Sequence, residues 1–484
     1  MTYGKITLIS LLTTFLIACG GGGSGSVQEP DPIDVVIPEI VSITPADGAS
    51  PVSVLTNIEI TLSEPVTEGS VTETEMTLAL ATSRLNGPSA VAFERSLSAD
   101  GMTLTLSPYR PLLTSANYQL MISEGLKHST GGTVAESTTT FSTFENRRTR
   151  ETKYKDADLT IIDGYIDYLA DGSTLEYLDF GNDGQWFTAD DVLSYETRIE
   201  LNNNDQKQYS KRYRWDSTST PTLQRYEEFQ YNANNQVSVR ITYDQWSSNA
   251  AGADNIFGTE DDTPAYYATF SYENGRQTMQ TNYTTSGNDG VWMSGDDEIG
   301  SIKFIKYDEF GNHTHTYTFN SPGDDGVWDT NDDSLVSGSY LLYDDNHQLT
   351  HAVDVSGKGD DGEYYTADDT VIFYDTWEIE DFVNSAGYWY DDAGTDATWF
   401  TSDDVITAVK SYEYNANRQR TLYHRDSAGN DGQFQTADDS ILSVTIEFNA
   451  EGNATSDLFT YERPYDSTGN YPPYYSVTDY DTSQ

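Results

Sequence analysis

From residue 38 to residue 145 the chain alternates apolar and polar positions in short runs, such as Ile58-Glu59-Ile60-Thr61-Leu62, Met102-Thr103-Leu104-Thr105-Leu106 and Tyr118-Gln119-Leu120-Met121-Ile122. Successive side chains of a strand point to opposite faces, so a period of two predicts strands with one buried face. Turn signals such as Pro45-Ala46-Asp47-Gly48 separate the runs, and Thr140-Phe141-Ser142-Thr143 closes the series. Short strands spaced by turns predict a two-sheet sandwich.

Beyond residue 145 a longer period takes over. From 146 to 484 a unit recurs that starts G-x-D-G in its fullest form, with an aromatic at +5, Thr or Ser at +7, Asp at +9 and +10 and an aliphatic at +12. It starts at Gly181, Gly252, Gly287, Gly323, Gly359, Gly394 and Gly429, in steps of 71, 35, 36, 36, 35 and 35 residues. The first step spans two periods, with a degenerate unit near Asp216, so eight units are expected. About a dozen residues per unit form the Asp-rich loop, and the rest suffice for two strands and a turn.

In the Gly287 unit the strands are expected at 299–307 and 313–319. His313, His315, Tyr317 and Phe319 lie on one face of the second, and Thr314, Thr316 and Thr318 on the other. Other units turn at Asn232-Ala233-Asn234-Asn235, Glu273-Asn274-Gly275-Arg276 and Asn415-Ala416-Asn417-Arg418, the Asn/Gly chemistry of hairpins. Two strands per unit are too few for a propeller blade, and the roughly 16 strands implied exceed the size at which an open sheet stays flat. The expected fold class is all-β: an N-terminal Ig-like sandwich, then a tandem two-strand hairpin repeat forming a spiral sheet or β-solenoid.

Residues 38–145 resemble the SbsA-type bacterial Ig-like domain, which implies a spacer or adhesion module without a catalytic role. In the repeat, Tyr307-Asp308-Glu309-Phe310-Gly311-Asn312 resembles the YD repeats of rearrangement-hotspot proteins and teneurins, which build spiral sheets. Tyr343-Asp344 keeps the start of that motif, while Tyr231-Asn232 and Tyr414-Asn415 replace its Asp.

The N terminus changes the picture from domain to location. Lys5 precedes an uncharged apolar run from Ile6 to Ile17, and Leu16-Ile17-Ala18-Cys19 follows. This is the pattern of a secretory signal peptide with a lipobox, and Cys19 is the chain's single cysteine. The resemblance to bacterial lipoproteins implies removal of residues 1–18, acylation of Cys19 and attachment to a membrane through it. Gly20 stands where an Asp would favour inner-membrane retention, so an outer-membrane, surface-exposed location is expected. Residues 19–37 are a lipidated Cys and a Gly/Ser/Pro linker, 38–145 the Ig-like domain and 146–484 the acidic repeat domain.

The formal charge is -52, from 78 acidic and 26 basic residues, which excludes nucleic acid and anionic lipid surfaces as partners. With 35 Tyr, 18 Phe and 8 Trp the chain is nonetheless far too aromatic to be a disordered tail.

Three Asp recur in every loop: Asp183, Asp190 and Asp191; Asp254, Asp261 and Asp262; Asp289, Asp296 and Asp297; Asp325, Asp332 and Asp333; Asp361, Asp368 and Asp369; Asp396, Asp403 and Asp404; Asp431, Asp438 and Asp439. Three carboxylates so close repel one another without a counter-ion. Oxygen ligands with loose geometry suit calcium better than octahedral magnesium. The loops depart from the EF-hand, because the third ligand position of such a loop falls on Gly181. A competing reading makes the Asp and Thr side chains caps of backbone amides. Capping accounts readily for one Asp per loop, and less readily for an adjacent pair.

The aromatics at +5 (Trp186, Phe257, Trp292, Trp328, Tyr364, Trp399 and Phe434) are expected to form a repeating core layer, the alternative being a sugar-binding ladder. The sequence holds no zinc-hydrolase, nucleophile-elbow or phosphate-loop motif, and its six His are scattered. The expected function is therefore non-enzymatic: a calcium-rigidified structural or adhesion lipoprotein of the cell surface, contacting a protein or glycan. A carbohydrate-binding module and a relative of toxin-delivery shells are the alternatives.

Overall fold

The computed structural model describes residues 35–72, 76–80, 91–145, 147–216, 220–247, 250–366, 368–429, 431–436, 438–462 and 474–481. Cys19, the signal peptide and most of the linker lie outside the described residues.

The N-terminal part is a sandwich of two four-stranded sheets. One has the order β1 (Ile40–Thr44), β3 (Ile58–Leu62), β6 (Thr103–Pro108), β5 (Phe93–Leu97), and the other β2 (Ala49–Val52), β8 (Ser137–Thr143), β7 (Asn117–Ile122), β4 (Met76–Leu80). The alternation seen in the sequence is what builds it. Ile58, Ile60 and Leu62 of β3, Leu104 and Leu106 of β6, and Tyr118, Leu120 and Ile122 of β7 point into one shared core, while Glu59 points out. The Tyr118 hydroxyl, buried there, accepts a hydrogen bond from the Leu113 amide at 2.7 Å.

The second part corrects the expectation of a spiral sheet or solenoid. Twenty strands, from β9 (Arg147–Tyr154) to β28 (Tyr474–Asp481), each pair antiparallel with their chain neighbours, and β28 then pairs with β9 to close a barrel. Closure is possible because an even number of antiparallel strands leaves the first and last running in opposite directions. It removes the two open edges that an unclosed sheet would expose. At the seam Arg147 pairs with Asp481 at 3.1 Å and the Tyr474 hydroxyl donates to Glu151 at 2.8 Å. The count exceeds 16 because strand pairs at both ends of the repeat are not marked by a complete Asp loop.

One barrel strand carries charge on both of its faces. In β13 (Lys207–Arg214), Lys207 and Lys211 lie on one face and Arg212 and Arg214 on the other; a lipid-facing strand keeps one face apolar. No helix among the described residues is long and apolar enough to cross a membrane.

Antiparallel order puts alternate connections at opposite rims. One rim carries the Asp-rich loops. The other carries tight turns in which an Asn or Asp side chain accepts the amides two and four residues on, as Asn232 does from Asn234 (2.9 Å) and Gln236 (3.0 Å). The Ig-like domain docks on this turn rim. The Tyr109 ring stacks on Phe382 with centroids 3.6 Å apart, and the Arg110 guanidinium donates to the Phe382 carbonyl and to the Gln348 and Asn384 side chains. Arg418 donates back to the Tyr109 carbonyl at 3.0 Å, and Leu55 packs against Gly452. Four turns of the barrel are thus engaged, and the Asp loops lie at the far end.

Candidate functional site

Each Asp loop is built around a glycine that admits no side chain. Gly181 has φ +68°, and a Cβ on it would lie 2.1 Å from the Asp190 carbonyl oxygen. The same approach recurs at Gly252, Gly287 and Gly394, so the loop crosses itself tightly only where Cβ is missing.

The three Asp have three different tasks. The Asp at +9 holds the crossing: Asp190 Oδ2 accepts the amides of Asn182 (2.7 Å) and Asp183 (3.0 Å), and its Oδ1 accepts the Thr188 hydroxyl at 2.7 Å. The hydroxyl bond recurs in all seven loops, at 2.9 Å to Asp261, 2.7 Å to Asp296, 2.8 Å to Asp332, 2.8 Å to Asp368, 2.7 Å to Asp403 and 2.8 Å to Asp438. The Asp at +2 fixes the loop tip by accepting the amide at +4, again in all seven: Asp183, Asp254, Asp289, Asp325, Asp361, Asp396 and Asp431 at 2.7 to 2.8 Å.

The Asp at +10 ties the loop to the wall. Asp191, Asp297 and Asp404 accept the amide at +6 through Oδ2 at 2.7 to 2.8 Å, and the same oxygens accept the hydroxyls of Tyr165 (2.7 Å), Tyr267 (2.6 Å) and Tyr374 (2.7 Å). Asp262 does so with Gly258 and Tyr226, Asp369 with Tyr365 and Tyr317. The residue at +6 sits at positive φ to deliver that amide, including Phe187 (67°), Met293 (63°) and Phe400 (65°), conformations costly for such side chains and kept by the bond they make. Capping therefore accounts for the adjacent pair after all: its two members cap different amides.

The electrostatics follow from the donors. Donation from Thr188 and from the Asp183 and Asn182 amides holds the Asp190 carboxyl below the usual range, and the same cause lowers Asp296 and Asp332. The wall tyrosines move the other way: burial, reinforced by the adjacent carboxylate, pushes the phenols of Tyr165, Tyr226, Tyr267 and Tyr374 well above their ordinary value.

These tyrosines escaped the sequence reading. Each stacks on the tyrosine directly across the ladder, Tyr165 on Tyr177, Tyr226 on Tyr243, Tyr267 on Tyr283 and Tyr374 on Tyr390, with centroids 4.5, 4.2, 4.3 and 4.4 Å apart. A signal existed, since Tyr267 and Tyr374 both fall five residues after an Asp pair. Gly338 holds that place in another unit. Tyr317, opposite it in the ladder, lies over it (a Cβ there would be 2.9 Å from the ring) and reaches Asp369 instead. The +5 aromatics are half-buried; Trp186, Trp292, Tyr364 and Trp399 meet wall rings edge-on, as Trp292 does against Tyr267 with centroids 6.0 Å apart, and Phe257 is tilted against Tyr226.

The Gly429 loop differs. The residue five after the preceding pair is Val409, and Gln435, at +6, donates to Asp426 at 3.2 Å rather than to Asp439. Among the described residues only this loop brings its three carboxylates, Asp431, Asp438 and Asp439, within 4.8 Å of one another, a spacing that one calcium could bridge. Asp426 stands beside them, its carboxyl raised by burial and by Asp439. His313 lies at the turn-rim end of its strand, buried and bonded to Thr316, while His315 meets Tyr365 of the Gly359 loop with centroids 5.6 Å apart and is pushed down to about 4 by burial and by Lys306 nearby. A cavity of about 450 Å³, lined by Arg276, Lys306, Tyr307 and Asp308, lies towards the turn rim, away from the Asp loops.

Among curated proteins none matches the chain. Several solved structures align weakly. The N-terminal part of the bacterial S-layer protein SbsC is 15% identical over 43% of this chain and 43% of that one, with a TM-score of 0.18, so the chain spans less than half of that structure. A porin-like protein from Bacteroides uniformis is 11% identical over 69% of this chain and 94% of its own (TM-score 0.25). A TcdB2-TccC3 structure is 10% identical over 81% and 22% (TM-score 0.24). At such scores neither fold nor function transfers. Residues 34–143 match the family model of the bacterial Ig-like domain.

Proposed function

We propose that this chain is a non-enzymatic structural or contact protein of the bacterial cell surface, anchored through lipid on Cys19 and presenting its Asp-loop rim outward. The observation that carries the reading is the polarity of the molecule. The chain enters through the Ig-like domain, where the Val36 amide is bonded to Thr130 at 2.9 Å; that domain occupies the turn rim, and the seven loops occupy the opposite one. An anchor at the N terminus then points the loops away from the membrane.

The carboxylates support a scaffold and not a reaction. Asp190, Asp261, Asp296, Asp332, Asp368 and Asp403, at +9, are held ionised by amide and hydroxyl donors and are poor proton donors near neutral pH. Calcium belongs to the same proposal, with Asp431, Asp438 and Asp439 as its ligands. In every loop, this one included, an ion would share Oδ1 of the +9 Asp with the Thr or Ser hydroxyl, and the Gly429 loop is set apart by the close approach of its three carboxylates. The glycan alternative loses support because the +5 rings are half-buried, four of them packed edge-on against wall tyrosines.

Cys19→Ser tests the anchor. The wild type should fractionate with the outer membrane and the variant should be released; a variant that stays membrane-bound refutes the anchoring.

A further inference from the structure

The three adjacent loops that start at Gly252, Gly287 and Gly323 each raise an exposed aliphatic side chain at the tip, and Trp246, 71% exposed, stands on the same connection as the first. At +4 these are Ile256, Val291 and Val327, 60%, 59% and 56% exposed, and Met293 beside them is 52% exposed. Elsewhere on the rim +4 is Gln185, Glu363, Thr398 or Gln433. The three tips are pre-set, because each +4 amide donates to the +2 Asp at 2.7 Å, so little order would be lost on contact. Neighbouring loops are two strands apart, which spaces the tips by about 10 Å at the usual strand separation.

Around this row the charge is predominantly negative, although Lys306, 4.0 Å from Asp329, and Lys358, bonded to the Asn331 carbonyl, reach the third loop from outside it. Residues 250–264, 286–297 and 322–333 contain twelve Asp and Glu and no Lys or Arg. We infer that this row is a docking site for a cationic polypeptide that carries apolar side chains among its Lys or Arg. A second copy of the chain, at -52, is repelled, as is an anionic lipid surface. The N-terminal segment enters at the opposite rim and contains a single basic residue before Arg84, Lys5. The aliphatic tips fit apolar side chains, with the surrounding carboxylates pairing the cations.

This inference rests on the contact-protein reading, and its failure would leave the anchoring result untouched. The test is calorimetric titration of the full chain with three synthetic 18-residue peptides composed of Lys and Leu, Lys and Ser, or Glu and Leu. The Lys/Leu peptide should bind, should bind at least tenfold more weakly in 300 mM than in 50 mM NaCl, and should lose at least tenfold in the triple variant Ile256→Ser, Val291→Ser, Val327→Ser. Val41→Ser, an exposed apolar position on the Ig-like domain, should change nothing, and circular dichroism should show both variants folded. Equal binding of the Lys/Ser peptide, undiminished binding by the folded triple variant, binding of the Glu/Leu peptide, or no binding of Lys/Leu would each overturn the inference.

Discussion

Removing one hydroxyl from Tyr267 should loosen one loop and leave the barrel closed. In the wild type, Asp297 Oδ2 accepts both the Tyr267 hydroxyl (2.6 Å) and the Met293 amide (2.7 Å), the latter held at φ +63°. A hydrogen bond to a charged acceptor contributes about 1.5–3 kcal/mol. At about 1.4 kcal/mol per tenfold change, its loss should speed local opening roughly 10- to 150-fold. Asp297 is half-buried, so solvent can partly replace the hydroxyl and the lower end is expected. A global melting point would hide so local an effect in a two-part chain. Hydrogen exchange followed by mass spectrometry on residues 286–297 reads it directly. Tyr283→Phe is the matched control: its ring stacks on Tyr267 at 4.3 Å, and its hydroxyl has no hydrogen bond among the described residues. Tyr267→Phe should deprotect the 286–297 peptide while leaving 322–333 unchanged; protection within twofold of wild type, or equal deprotection by Tyr283→Phe, would refute the reasoning.

Two pH limits follow from the same bonds. The wall phenols have folded pKa values above their unfolded ones, so their contribution is complete below about pH 10 and is lost as pH rises through the folded values; the +9 carboxyls are lowered, so theirs is present above about pH 4 and is lost as pH falls through the folded values. Tyrosine fluorescence and loop exchange should be flat between these limits and change beyond both. Leu104→Ala, at a fully buried site of the sandwich, should cost about 2–5 kcal/mol in denaturant unfolding of the Ig-like domain and leave exchange in the barrel loops unchanged. Calcium titrated by calorimetry should bind with a Kd of about 10⁻⁴–10⁻³ M, and Asp438→Asn with Asp439→Asn should abolish that binding; an unaltered isotherm would remove the Gly429 loop as the site.

The sequence reading reached the strands and stopped short of their closure for a physical reason. Alternation is local, and it is plain in Ile58–Leu62 and His313–Phe319, which lie within β3 and within a barrel strand at His313–Ser321. Pairing of β28 with β9 joins residues more than 300 positions apart, and neither Tyr474–Asp481 nor Arg147–Tyr154 carries the repeat motif. In the sandwich, Phe93–Leu97 was hidden because Glu94 and Arg95 mask its alternation. The Asp register was fully visible, but its meaning was not. That Asp190 caps Asn182 and Asp183 while Asp191 caps Phe187 depends on the loop crossing itself at Gly181, which spacing alone does not reveal.

The outward orientation of the Asp-loop rim is best tested with a single reporter thiol. The chain's one natural cysteine is Cys19, so Glu260→Cys at an exposed position of the Gly252 loop adds one free thiol. Intact bacteria expressing this variant are treated with a membrane-impermeant maleimide, alongside cells whose outer membrane has been opened. Labelling of Glu260→Cys on intact cells, with no labelling of the wild type because its only thiol is acylated, is the predicted result. Labelling of Glu260→Cys only after the outer membrane is opened would contradict a surface-facing rim.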